Sequence, residues 1–324
     1  MSNLPFDSSD TGKADMLSPA ASGADWTARK ERGSLLALRV MTWFARCCGR
    51  RVARLLLYPI VLYYMLTARD ARMASRRYLS RVYGRPVRWQ DEFAHVHAFA
   101  SVLLDRVYFL LGRDDAFDIR LVRDDYLASD AAERAEGVFL MGAHMGSFEV
   151  VRMLSRQHEE LKLVLLMYEE NAKKISALLS AINPEAQQEI VALGNLSAML
   201  TVRERLAEGA LVGALADRSL GQEKVSMLSF LGKPAPFAQG PFLMAAMMRR
   251  PVYLMMGLYR GGNRYDIHLE RIADFSDAAD GTRRNREQQV AEAMQHYVAR
   301  LEYFARQAPF NWFNFYDFWQ EDVR

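Results

Sequence analysis

The segment GAHMGSFE, residues 142–149, holds the side chains best suited to chemistry. His144 lies between Gly142 and Gly146, and Glu149 follows five residues later. Five residues of regular helix turn through about 500°, roughly 140° off-face, so two helical side chains at this spacing do not meet. They meet if His144 occupies a strand-to-helix loop, with Ser147 as the N-cap and Glu149 in the first helical turn. The glycines permit such a loop, and the helix N-terminus favours an ionised Glu149. The carboxylate would then orient and polarise the imidazole, leaving its other nitrogen free as a general base. The plainer alternative is a loop histidine bonded to the backbone. Ser147 as a hydrolase nucleophile lacks support, because no G-x-S-x-G elbow occurs in the chain.

Other candidates carry less. His95 and His97 stand two apart in a helical pattern and face different ways; Asp91 shares a face with His95, but no third ligand is evident, so no metal site is expected. Gly232–Lys233 and Gly261–Gly262 lack a strand-to-helix phosphate-loop context and read as turns. Met244, Met247, Met248, Met255 and Met256 fit either an acyl groove or ordinary core packing. No cofactor is implied.

The elements that would position His144 follow from periodicity. From Gly112 onward, strand-like runs are expected at 117–122, 138–142, 163–167, 211–216, 225–230, 252–258 and 265–270. Helical stretches are expected at 147–158, 172–181, 198–208, 239–249 and 284–306. This alternation predicts an α/β domain over 112–324, an open, mostly parallel sheet flanked by helices, whose sites lie at the carboxyl ends of strands. Residues 34–111 read as a basic amphipathic helical region and residues 1–33 as a disordered tail, rich in Ser, Asp, Gly and Ala and without a signal-peptide pattern.

The net charge of +3 is unevenly spread. Residues 29–88 hold 15 of the 42 Lys and Arg residues against two acids, Glu31 and Asp70, so this segment is +13 and the rest of the chain −10. Such asymmetry points to an anionic partner surface. The arginines are separated by strongly apolar stretches, unlike a polar nucleic-acid arm, which favours the cytoplasmic face of a membrane over nucleic acid. The longest apolar run, Leu55–Leu66, has 12 residues and contains Pro59. That falls short of the ~20 needed to span hydrocarbon. Interfacial helices are expected instead, with Arg39, Arg46, Arg50, Arg51 and Arg54 at headgroup level and Trp43, Tyr58, Tyr63 and Tyr64 as anchors. Helices that simply pack on the body would have the same pattern. The only cysteines, Cys47 and Cys48, are adjacent, which suits a reducing compartment and not a structural disulfide.

With these residues in hand, the chain resembles the lysophospholipid acyltransferase superfamily. The matching features are the His-x4-Glu of HMGSFE, the Asp of ALADRSLG and the block FLGKPAPFAQGPFLMAA, in that order. Within the superfamily it is most like the lipid A secondary (lauroyl and myristoyl) acyltransferases. The ending PFNWFNFYDFW resembles predicted acyltransferases associated with aryl polyene pigment pathways. The resemblance implies that His144, oriented by Glu149, deprotonates an acceptor hydroxyl, which attacks a thioester on acyl carrier protein or coenzyme A. It implies a lipid acceptor and a site at the inner membrane, with Asp217 and Tyr168 near the substrates; Ser147 and Arg218, adjoining these motifs, are expected there as well. Two features depart from the lipid A pattern: Glu169 and Glu170 follow Tyr168 where a basic residue is usual, and Arg218 follows Asp217. The first disfavours a phosphorylated acceptor; the second suits either an anionic ligand or an ion pair. A non-catalytic lipid carrier of the same fold and a thioesterase are the alternative readings.

Overall fold

The computed structural model describes residues 49–126, 129, 135–157, 161–169, 173, 189–194, 196–219, 223–276 and 283–319. The expected tail, Arg39, Trp43, Arg46, the two cysteines and all but Lys173 of the expected 172–181 helix lie outside these residues.

Three helices come first: α1 (Gly49–Thr67), α2 (Arg69–Tyr83) and α3 (Trp89–Leu110). α1 buries one stripe, Ala53, Leu57, Val61 and Met65, spaced every four residues. That stripe packs on Val96, Leu104, Val107 and Tyr108 of α3. The remaining surface of α1 is also apolar but uncovered: Leu55, Tyr63 and Leu66 are 66%, 67% and 77% exposed, with Tyr58, Ile60 and Leu62 beside them. Two of the arginines expected at headgroup level are held by the protein body. Arg50 makes a bidentate pair with buried Asp105, and Arg54 donates to the Tyr259 hydroxyl and the Gly262 carbonyl. Arg51 is exposed. Among the described residues no single helix is long and apolar enough to cross a membrane, and α1 and α2 meet at a 97° bend.

The body follows with β1 (Asp118–Asp124), β2 (Val138–Gly142), α4 (Phe148–Gln157), β3 (Leu163–Tyr168) and β4 (Glu189–Leu193). After these come α5 (Leu196–Ala207), β5 (Leu211–Leu215), β6 (Val225–Phe230), β7 (Lys233–Ala238), α6 (Gly240–Met247), β8 (Val252–Tyr259), β9 (Arg264–Ala273) and α7 (Arg283–Gln307). The main sheet has seven strands in the order β1-β9-β8-β2-β5-β3-β4. Its neighbours pair in parallel except β8 with β9. β6 and β7 form a separate antiparallel hairpin.

All five residues of β2 are buried, as a central strand covered on both faces requires. Phe139 and Met141 join a core with α7 side chains such as Met294, Tyr297 and Leu301, whereas Val138 and Leu140 face Val102 and Phe109 of α3 and Val150 and Val151 of α4. This three-layer stack presents the carboxyl ends of β2, β5 and β8 side by side. Two strands differ from the sequence expectation. β4 is a short edge strand, and β7, with Pro234 and Pro236, pairs on one side only, where a missing N–H breaks no ladder.

Candidate active site

Just past the end of β2, Ala143–Ser147 crosses from strand to helix and carries His144. Gly146 has φ +66°, and a Cβ there would lie 2.0 Å from the Gly257 carbonyl oxygen; a Cβ on Gly257 would lie 2.3 Å from the Ser147 oxygen. The loop therefore rests directly on the backbone of β8, locked by the Ser147 N–H donating to Gly257 O at 2.7 Å. Only glycine at both positions allows that approach.

The other side of the loop is closed by the C-terminal segment after α7. Gly146 N–H donates to Asn311 O, Phe313 N–H donates to His144 O, and Met145 bridges Trp312 in antiparallel fashion. Asn311 in turn exchanges both its amide hydrogen bonds with the backbone of Tyr259 at the end of β8. These contacts strap the aromatic ending onto the core. The strap also touches the site itself.

The carboxylate that meets the His144 ring is Asp217, two residues past the end of β5. Its Oδ1 lies 2.9 Å from His144 Nδ1, and its Oδ2 accepts from the His144 backbone N–H at 3.1 Å and from the Trp312 indole at 3.0 Å. Sequence spacing gives this place to Glu149. In the structure Glu149 begins α4, and its two oxygens accept from Arg106 of α3 at 2.9 Å and Arg152 of α4 at 3.2 Å. The physical reason is register: β2 and β5 are adjacent, with Gly142 level with Leu215, so the residues just beyond both strands meet across the sheet's end.

Burial by itself would push the Asp217 carboxyl upward. The charge and hydrogen bond of His144, the Arg218 charge and the Trp312 N–H outweigh it and bring Asp217 far below the usual carboxylate range. His144 is held below the ordinary imidazole value of 6.5 by desolvation first and by Arg218 second, against the raising influence of Asp217. Near neutral pH the pair is therefore a carboxylate and a neutral imidazole. An ionised acceptor at Nδ1 places the proton there and leaves a lone pair on Nε2. The His144 side chain is 35% exposed, and among the described residues no hydrogen-bond partner meets Nε2. The arrangement can take a proton from a ligand at Nε2 and hold the imidazolium that results.

Ser147 is buried. Arg218 donates to Phe313 O at 2.8 Å and lies 5.3 Å from the Tyr316 ring centre. Tyr168, at the end of β3 and 40% exposed, donates to Glu223 at 2.8 Å, and burial raises its phenol. Glu169 pairs with Lys173. Met255 and Met256 lie buried in β8. Among the described residues, no group of three or more His, Cys, Asp or Glu side chains could hold a metal ion.

His95 has a role that spacing did not reveal. It is fully buried between Ser75, whose hydroxyl lies 2.8 Å from Nδ1, and the Trp312 carbonyl, 2.9 Å from Nε2. Desolvation brings its pKa down to about 4. The unfolded chain takes up a proton near 6.5 that the folded chain refuses until about 4. Stability from this residue is thus complete above pH 6.5 and is lost as pH falls from 6.5 to 4, on the order of 3 kcal/mol in all. Urea unfolding at pH 7.5, 6 and 4.5 should reveal this slope, and a His95→Gln variant should flatten it. An identical slope in that variant would contradict it.

The family model of the bacterial lipid A biosynthesis acyltransferases matches residues 118–321. That span contains β2, β5, the His144 loop, Asp217 and the strap. No curated protein matches the chain.

Proposed function

From the premise that the chain belongs to the bacterial lipid A biosynthesis acyltransferase family, we propose that it moves an acyl group from a thioester donor to a hydroxyl of a lipid acceptor, with His144 as general base. The observation that carries the reading is the His144–Asp217 pair at the carboxyl ends of β2 and β5, with no hydrogen-bond partner on Nε2 among the described residues. His144 takes the proton of the acceptor hydroxyl as its oxygen attacks the thioester carbonyl. The tetrahedral intermediate collapses, the C–S bond breaks, and the departing thiolate takes the proton back from the imidazolium. An ester and a free thiol result, with no acyl-enzyme. Asp217 holds the productive tautomer and offsets the transient positive charge. Glu149 acts one step away, tying α4 to α3 through Arg106 and bonding Arg152 within α4.

The donor in this proposal is an acyl carrier protein or coenzyme A thioester. Arg218, beside His144, suits an anionic part of donor or acceptor; Ser147, in the His144 loop, and Tyr168, at the end of β3, are further substrate contacts in this proposal. Aryl polyene or related pigment lipids are the narrower version, supported by the likeness of the PFNWFNFYDFW ending. The test is to offer lauroyl and myristoyl thioesters of both carriers with a bacterial membrane-lipid extract and follow the acyl label by mass spectrometry. Label in a new lipid ester supports the reading; label only in free acid makes the protein a thioesterase.

In this proposal the enzyme works at the cytoplasmic face of the inner membrane, peripheral or monotopic. Support comes from the uncovered apolar surface of α1 and the +13 charge of residues 29–88. Anionic liposomes should float the protein, with weaker flotation as salt rises. A Leu55→Ser/Leu66→Ser double variant should weaken binding by roughly a hundredfold, since each leucine contributes on the order of 1–2 kcal/mol at an interface. Binding indifferent to lipid charge, salt and these leucines would refute the placement.

A further inference from the structure

We infer that Trp312, in the C-terminal strap, is a positioning residue of the catalytic pair, fixing the Asp217 carboxylate against His144 through its indole N–H. The inference rests on the reading that His144 is the base and adds a residue that neither the His-x4-Glu pattern nor the family match singles out. Three donors satisfy Asp217: the His144 ring, the His144 backbone and the Trp312 indole. The first two belong to the residue being oriented, so Trp312 is the independent anchor among them. It also keeps one lone pair of Oδ2 engaged without carrying a charge.

Trp312 is itself immobilised from every side. Its carbonyl accepts from His95, which Ser75 holds in turn. Its ring packs edge-on against Tyr78 of α2, Phe230 of β6 and Phe318 of the strap, at centroid distances of 4.9, 5.1 and 5.0 Å. It is fully buried. A hydrogen-bond path therefore runs from α2 through His95 of α3 and the backbone and ring of Trp312 to Asp217 and His144. The helices next to the membrane-facing α1 and the far end of the chain converge on one carboxylate. Packing explains the ring; it does not explain why the one N–H of the ring is aimed at a buried carboxylate beside the base.

The consequence is electrostatic as well as geometric. The ionisable groups facing this centre are Asp217 and Arg218 beyond β5, Tyr297 on α7 and Tyr316 on the strap. Removing the indole donor leaves all of them in place but makes Asp217 a more basic partner. The imidazolium form of His144 is then favoured, and its titration moves to higher pH.

In Trp312→Phe the acid limb of kcat/KM should move up by roughly half to one pH unit, and kcat should fall roughly ten- to a hundredfold with KM within about twofold. The control is Trp319→Phe, which removes an indole that donates to the Phe230 carbonyl in the same aromatic cluster; it should leave the limb where it is. NMR titration of the His144 imidazole reads the same shift without turnover, so it separates this inference from the acyl-transfer reading. Should Trp312→Phe fail to fold, the intact protein still decides: the Trp312 indole N–H resonance should follow the His144 titration, and that of Trp319 should not. A folded Trp312→Phe with unmoved limb and His144 titration, an equal shift in Trp319→Phe, or a Trp312 resonance blind to His144 overturns the inference.

Discussion

Asp217→Asn should reduce acyl transfer by about 10³- to 10⁴-fold while leaving the protein folded. In acyl transfer a carboxylate fixes the imidazole proton on Nδ1 and stabilises the imidazolium, and an isosteric amide does neither. Asp217 accepts all three of its hydrogen bonds as an anion. An asparagine either turns its NH2 toward His144, forcing the proton onto Nε2 where it blocks the base, or turns it toward Trp312 and meets another donor. Both arrangements cost activity, and the first abolishes the function of the ring. Steady-state kcat/KM at saturating acceptor reads the loss, and activity within tenfold of the native protein would disprove the role.

Glu149→Gln serves as the contrast. Its carboxylate binds Arg106 and Arg152. Its loss should appear mainly as reduced stability, by about 1–3 kcal/mol, because a partly buried ion pair is broken.

Much of this site is legible in the sequence, and its limits have physical causes. His144 could be placed because a glycine-bounded loop after an apolar strand is a local pattern. Asp217 was found as a motif residue but not as the partner of His144. That contact spans 73 residues and depends on β2 lying beside β5, a register that spacing does not encode. Glu149 attracted the orienting role because it is near in sequence, and proximity along the chain says little where a loop reverses direction. β7 escaped notice because KPAPFA carries two prolines, tolerated only because the hairpin leaves one edge free. Within the described residues 49–111 the basic region is largely helical, but composition could not tell that Arg50 and Arg54 bind the body. The single indole N–H directed at Asp217 has no sequence signature.

The central claim is that His144 Nε2 is the base for acyl transfer. Without that imidazole the acceptor hydroxyl keeps its proton near neutral pH, and only binding and the remaining polar groups of the site assist the reaction. The most direct test is the acyl transfer rate of His144→Ala, measured with acyl carrier protein and coenzyme A thioesters on protein shown by liposome flotation and thermal unfolding to be intact. A loss of at least about 10³-fold with membrane binding unchanged is the predicted result. Transfer at a rate within tenfold of the native protein would contradict the account.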